Sequence, residues 1–372
     1  MKGRDAPLLI RVLHCIPSLL GGGAERQLCY LAAGLARRGH EVHVAFQQDG
    51  PNFPLLQESG ATLHRVPARR SFDPRAALAI AELLRRERIQ LLQTWLRRMD
   101  VWGGVASKLT NVPWLFSERG QSITLHEHTA SARAMRALVP LARGVVANSE
   151  TAADIWRRDG GGRLPVHVVP NAIPVDRIEG IAPADRRELG LPEDAPLVLY
   201  AGRFTPGKNV PLLGEALVSV LRARPDAYAL MLGEGPELAD FRAWVRAQGL
   251  ARRIVLPGYR DDLFRWMKTA TVFVSPSRSE GRPNVVMEAM ACGCPMVLSD
   301  IAPHREFVTD AEAVWCRTDD LASLRDGIAR TLDDPEAARA RASLALTSIR
   351  RFSIDVMVDS YDAVYREVLA RG

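Results

Sequence analysis

The chain predicts an α/β protein made of two doubly wound domains, on three observations. Short apolar runs of strand length alternate with helical patterns from one end to the other, which specifies parallel sheets covered by helices on both faces. The alternation pauses at a proline-containing link, PNAIPVDRIEGIAPADRRELGLPEDAP, and then restarts. A length of 372 residues, 47% hydrophobic and 25% charged, is enough for two domains with substantial cores.

In chain order, the first block carries strand candidates at residues 8–14, 41–46, 62–66, 89–94, 114–117, 144–148 and 166–169. Helix-like stretches at 24–38 and 74–88 lie between them. The second block has strand candidates at 197–201, 229–232, 254–256, 272–275, 296–299 and 313–316. The boundaries predicted are 1–172 and 173–352, followed by FSIDVMVDSYDAVYREVLARG. That last segment reads as an amphipathic helix with Val356, Val358, Tyr361, Val364, Tyr365 and Leu369 as its apolar positions. Open parallel sheets bind ligands beyond the carboxyl ends of their strands, so two such edges facing across a cleft would share one site.

Composition narrows the partners. Residues 1–178 carry a net charge of +9 and the remainder −3. A basic first half suits anionic lipid or a lipid-diphosphate acceptor, while nucleic acid is not expected, since no basic–aromatic interleaving occurs. Arg85, Arg86 and Arg88, or Arg133 and Arg136 on a helix expected at 128–141, would meet such a surface; solvated helix faces are the plain alternative. No run reaches the ~18 apolar residues of a membrane helix, and the N-terminal apolar stretch is interrupted by Arg11 and His14, so a cytoplasmic or peripheral protein is expected. Five cysteines without metal spacing read as buried thiols in a reducing compartment.

The segment SPSRSEGRPNVVMEAMACGCPMVLS, residues 275–299, carries the most chemistry. Gly281 supplies a turn and Pro283 suits a first helical position, so a helix is expected over 283–292. Its first N–H groups, near Asn284, Val285 and Val286, lack intrahelical partners and carry the positive end of the dipole, a setting for a diphosphate. Glu288 falls roughly 7.5 Å along the axis from Pro283. A carboxylate there is repulsive to phosphate unless it accepts from neutral donors such as ribose hydroxyls, and Glu280 ahead of the helix would accept from sugar hydroxyls in the same way. Taken alone, the two glutamates also suit a dipole-stabilising residue and a solvated helix position.

EGRPNVVMEAMACGCP resembles the E-x7-E segment of retaining glycosyltransferase family 4, whose fold, GT-B, is two Rossmann-like doubly wound domains facing across a cleft. The resemblance implies that Glu280 contacts the donor sugar near its reacting carbon and that Glu288 binds the ribose. Arg282 and Gly281 would lie along the donor. It also implies that the last helix, 353–372, returns to the first domain. LLGGGAERQ, residues 19–27, is similar to the family's first-domain loop, so Gly22 and Gly23 would meet the donor phosphate. Three glycines there permit positive φ and close approach of N–H groups to an anion.

Gly202 to Lys208 also matches the phosphate-loop spacing G-x-x-x-x-G-K. Asn209 stands where Ser or Thr would hold magnesium, and Pro206 removes an N–H. The stretch resembles the family's G-R-x-x-x-x-K-N element instead, in which Arg203 and Lys208 neutralise the leaving diphosphate. Gly258, Tyr259 and Arg260 fall where the family places the nucleotide base, and Asn171 and Ala172 at its hinge, after NSET, residues 148–151. His304 and Arg305 follow the next strand and suit either a donor contact or a helix cap. In the first domain, the family histidine near the donor sugar is replaced by Ser117-Glu118-Arg119-Gly120. Arg119, His126 or His128 would fill its place.

The expected function is transfer of a sugar from a nucleotide diphosphate donor to a hydroxyl of a glycan or polyprenyl-diphosphate-linked acceptor, with retention. No D-x-D motif occurs, so neither a metal nor another cofactor is expected. A phosphate-loop NTPase, a sugar-nucleotide epimerase of similar build and an inactive binding scaffold are the alternatives.

Overall fold

The computed structural model describes residues 9–67, 73–120, 129–160 and 164–371. The chain divides into two compact units, residues 1–172 with 354–372 and residues 173–353.

The first unit holds β1 (Arg11–Ser18), β2 (Glu41–Gln48), β3 (Thr62–Arg65), β4 (Leu91–Trp95), β5 (Trp114–Glu118), β6 (Gly144–Ala147) and β7 (Val166–Val168). They form one sheet in the order β3-β2-β1-β4-β5-β6-β7, with every pairing parallel. The expected first strand stopped at His14; β1 instead runs on to Ser18, paired to β2 throughout. His14 interrupts the apolar run without ending the strand, because its imidazole is fully buried and its Nδ1 accepts from the Trp95 indole at 3.2 Å. Burial lowers its pKa to about 3, so the ring is neutral.

The Ile354–Ala370 helix packs on the Gly23–Arg37 helix, both within this unit. The approach is close: a Cβ on Gly34 would stand 2.3 Å from Val358 Cγ2. Val356, expected to be apolar and inward, is 47% exposed. The buried stripe runs Met357, Val358, Tyr361, Val364, Tyr365, Val368, with the i, i+4, i+7 spacing of one helical face, and Val356 falls outside it. The helix expected at 128–141 is Ala130–Leu138, capped by the Thr129 side chain, and passes into a 3-10 turn at Val139–Leu141 where Pro140 removes an N–H.

The second unit holds β8 (Leu197–Ala201), β9 (Tyr228–Leu232), β10 (Ile254–Gly258), β11 (Val272–Ser275), β12 (Met296–Ser299) and β13 (Val314–Cys316). Their order is β10-β9-β8-β11-β12-β13, again parallel throughout. Strand order reverses beside β8, so β8 and β11 diverge into helices on opposite faces and leave a crevice at their carboxyl ends. The loops from both strands carry the candidate residues. All five cysteines are unpaired, and burial pushes the Cys29 and Cys292 thiols up to about 12.

Candidate functional site

The loops leaving β8, β9 and β10 are tied to one another by main-chain bonds. Gly202 N–H donates to Leu232 O at 3.0 Å, Phe204 N–H to Glu234 O at 2.8 Å and Gly233 N–H to Gly258 O at 2.9 Å. Gly233 has φ +133, and a Cβ there would lie 1.9 Å from Gly202 O. Only glycine fits both the angle and the approach. Gly233→Ala is expected to destabilise the second unit by roughly 3 kcal/mol, read as a lower urea midpoint; an unchanged midpoint would show the loops to be independent.

Lys208 and Glu280 meet on this edge. Lys208 follows β8 and Glu280 follows β11, and Lys208 Nζ lies 2.5 Å from Glu280 Oε1, which also accepts from Ser277 Oγ at 2.7 Å. The two side chains are 23% and 10% exposed, so solvent screens the pair only in part. Arg278 braces the two loops: its N–H donates to Gly207 O and its guanidinium to Pro206 O and Asp319. Asn209, buried at φ +56, also donates to Asp319 Oδ1, at 3.0 Å. Arg203 is exposed on the same loop.

The phosphate-loop spacing does not build a phosphate cradle. The N–H groups of Thr205, Lys208 and Asn209 donate to Arg203, Thr205 and Pro206 carbonyls within the turn. Those donors are consumed by the chain itself, and Pro206 has none.

The expected helix at 283–292 is Asn284–Ala291, with Pro283 as its cap in extended conformation rather than as its first turn. Val286 and Met287 N–H both donate to Pro283 O, so the donors expected at Val286 are used, and the open end narrows to positions before it. Glu288 is 3% exposed, which removes the solvated reading. Gly281 is partly exposed.

Arg282 departs from the donor-lining expectation. Its guanidinium is buried over the Phe307 and Phe352 rings at 4.9 and 4.6 Å, with Glu306 at 3.8 Å. Burial lowers its pKa to about 10 against the opposing pull of Glu306, so it stays charged and acts as an internal anchor for the loop.

Gly258 has φ +92, Tyr259 is half-exposed, and Arg260 donates to both Asp262 oxygens at 2.7 Å, which makes it the braced member of the pair. His304 is fully buried and donates from Nδ1 to Ser299 O at 2.8 Å; burial lowers its pKa, leaving a neutral ring. Arg305 is spent on Asp300 and Asp310 and stacks 3.7 Å from the Trp315 ring centre. Arg305 is the last residue of the Ala302–Arg305 helix, whose caps are Ile301 and Glu306, so it is a surface ion-pair residue and not a cap.

In the first unit the glycine turn differs from its expectation. No residue among Gly21, Gly22 and Gly23 has positive φ. Gly22 caps the Gly23–Arg37 helix in ordinary extended geometry, and its N–H donates to Leu20 O at 2.7 Å. The Glu25 carboxylate folds over it, 2.3 Å from where a Cβ would stand, and burial raises that carboxyl's pKa. A phosphate would therefore meet Glu25 before the Gly22 N–H.

Arg119 is held rather than loose. It donates to Asn171 Oδ1 at 2.9 Å and to the Tyr361 hydroxyl at 2.5 Å, and lies 4.0 Å from the Trp95 ring centre. Ala172 is fixed in turn by the Gln27 amide, in both directions at 2.8 Å. Ser149 caps the Glu150–Asp159 helix, and Asn148 is buried. His126 and His128 lie outside the described residues. Sequence reasoning missed Ser277, Arg278 and Asp319, which place Lys208 and Glu280; only their position at strand ends could have marked them.

Two parallel α/β units with charged loops gathered on the carboxyl edge of the second are the architecture of the GT-B fold. Residues 21–177 match the family model for Glycosyltransferase Family 4, and residues 182–345 that for Glycosyl transferases group 1; the chain belongs to this family. It is 30% identical over 219 residues to the lipopolysaccharide core biosynthesis mannosyltransferase LpsB of Rhizobium meliloti, covering 55% of this chain and 62% of that protein. It is 21% identical to the UDP-Gal:alpha-D-GlcNAc-diphosphoundecaprenol alpha-1,3-galactosyltransferase of Escherichia coli, over 99% of both. The crystal structure of Anabaena Alr3699/HepE in complex with UDP superposes with a TM-score of 0.82 at 20% identity, over 96% of this chain and 100% of that one.

Proposed function

We propose that the protein is a retaining glycosyltransferase that moves a sugar from a UDP- or GDP-linked donor to a hydroxyl of a glycan or polyprenyl-diphosphate-linked acceptor, in cell-surface polysaccharide or glycolipid synthesis, without a metal or other cofactor. The Lys208–Glu280 pair, with Glu280 three residues ahead of the Pro283 helix cap, carries the reading. A diphosphate against the helix opening draws Lys208 and the exposed Arg203 towards its oxygens. Glu280 is then released to the sugar, where it opposes the positive charge that grows at the anomeric carbon. Glu288 accepts from the ribose hydroxyls.

In the reaction, the bond from the anomeric carbon to the diphosphate oxygen breaks. The acceptor oxygen bonds on the same face, and its proton passes to the leaving phosphate oxygen. Lys208 and Arg203 stabilise the charge gained by the leaving group, the task a divalent ion performs elsewhere. The relatives named above support a nucleotide donor and a lipid-linked or lipopolysaccharide acceptor.

The test is a screen of UDP-, GDP- and ADP-sugars for nucleoside diphosphate release, with and without membrane extract, against Glu280→Ala. One UDP- or GDP-sugar is expected to be consumed, faster with extract, and equally in EDTA. Release by the wild type no greater than by Glu280→Ala for every donor would defeat the reading; loss of release in EDTA, restored by magnesium, would defeat its metal-free part.

Placement at the cytoplasmic membrane face is supported by the basic first half and by the exposed Arg85, Arg86, Arg88 and Arg133. Among the described residues no helix is long and apolar enough to cross a membrane. Sedimentation with anionic liposomes at low salt tests the placement, and protein left wholly in the supernatant counts against it.

A further inference from the structure

The pairing of β11 with β12 ends at Ser275 and Leu298, short of the loop that carries Glu280. Beyond that point the main-chain ladder no longer holds the loop, and a side chain takes over. Ser299 Oγ, at the end of β12, donates to Ser277 O at 2.6 Å, and Ser277 Oγ donates to Glu280 Oε1 at 2.7 Å. Ser299 and Ser277 are each 1% exposed, so water does not compete for these bonds.

Ser299 is fixed in turn by His304, in the Ala302–Arg305 helix that follows β12. The His304 Nδ1 lies 2.8 Å from Ser299 O and 3.4 Å from Ser299 Oγ. A carbonyl oxygen only accepts, so the ring proton is on Nδ1. The hydroxyl has given its own proton to Ser277 O, so it too accepts at Nδ1. Every donation therefore runs one way, from His304 through Ser299 and Ser277 to Glu280.

The other ring nitrogen shows what the histidine is for. Nε2 is buried without a hydrogen-bond partner among the described residues, on a ring that is fully buried. Filling that volume needs no imidazole, since an apolar side chain would do so without an unpaired polar atom. What histidine adds is the Nδ1–H. Burial lowers its pKa against the pull of Ser299 O and Glu280, and Lys208 lowers it further, so the donor is a neutral ring that both charged groups reach electrostatically. On the other side of Glu280 the loop is anchored by Arg282 to Glu306 and Phe307, which follow His304 within three residues.

We propose that His304, acting through Ser299 and Ser277, is a positioning residue that sets Glu280 beside Lys208. It is buried from solvent and acts through its neighbours, not by touching a ligand. That a misplaced Glu280 slows sugar transfer rests on the transferase reading; the placement itself does not.

Amide substitutions separate the two ring nitrogens. The asparagine amide nitrogen is bonded to Cγ, as Nδ1 is, whereas that of glutamine lies one carbon further out, near the place of Nε2. His304→Asn should therefore keep kcat for the preferred donor within about threefold of wild type, and His304→Gln should lower it about tenfold or more, with donor KM little changed in both. Ser299→Ala, which removes one hydroxyl and leaves the ring in place, should also slow the reaction. Ser277→Ala combined with His304→Gln should be no slower than the slower of the two single variants, since both break one series. Circular dichroism shows that each variant is folded. Imidazole nitrogen NMR of the wild type, assigned by the signal that either His304 variant loses, should show a neutral ring with its proton on Nδ1.

The inference is overturned if His304→Gln keeps the wild-type rate, if His304→Asn is as slow as His304→Gln, if the two losses multiply in the double variant, or if the ring proton is on Nε2. Any of these, found with a wild type that consumes a donor, leaves the transferase reading intact. A wild type that consumes no donor removes that reading, and a crystal structure of His304→Gln then decides the placement. Glu280 displaced from Lys208 would support it, and Glu280 still at Lys208 would overturn it.

Discussion

Glu280→Ala is expected to lower kcat with the preferred donor by about 10²–10³-fold while changing the donor KM little. In the proposed mechanism the carboxylate opposes charge that exists only as the glycosidic bond breaks, so its loss would fall on the transition state more than on ground-state binding. Glu280→Gln separates charge from shape. Its amide oxygen still accepts from Ser277 Oγ, which the carboxylate does at 2.7 Å, so the loop keeps its tie while the charge is gone. If Glu280→Gln is as slow as Glu280→Ala, charge is the active property; if it retains wild-type rate, the glutamate only shapes the loop. Steady-state kinetics with single-turnover controls decide between these outcomes.

Lys208→Ala is expected to lower kcat/KM by about 10³-fold, spread over both constants. In the proposed mechanism lysine meets a diphosphate already charged in the ground state, so its removal would raise KM, and more charged at the transition state, so its removal would lower kcat. Its removal also strips Glu280 of the partner at 2.5 Å. A carboxylate that loses its cationic partner on a site this shielded is destabilised. Lys208→Ala combined with Glu280→Ala should therefore lose less than the product of the two single losses. Strict multiplication of the two losses would show that the residues act independently.

Much of the fold was legible because both sheets are parallel. Strands such as β8, β11 and β12 are apolar but for a closing serine in the last two and stand out as runs, and their observed ends equal the expected ones. Legibility failed where a polar side chain is buried by a partner distant in sequence. His14 looked like the end of a strand because Trp95, 81 residues away, cannot be seen beside it. Val356 looked inward because spacing alone does not fix which of two adjacent stripes on a helix meets Gly34.

The candidate site divides in the same way. Glu280 and Glu288 stood out by residue type and spacing about a helix start, and Lys208 by the resemblance of its stretch to the family's G-R-x-x-x-x-K-N element. That Lys208 and Glu280 bond to each other was not, since the contact joins loops 72 residues apart. Arg282 was misplaced because a guanidinium beside a phosphate site and one stacked between Phe307 and Phe352 have the same sequence. Gly22 was misread because glycine permits positive φ without requiring it, and Glu25 was not weighed as its neighbour.

The most direct measurement is calorimetric titration of the full chain and its Lys208→Ala variant with UDP, GDP and ADP. The account predicts that UDP or GDP binds the wild type without added metal and binds Lys208→Ala at least about tenfold more weakly, the loss of one charge-assisted contact. Failure of all three to bind, or equal affinity for wild type and variant, would contradict a diphosphate held at Lys208 and the Asn284–Ala291 helix.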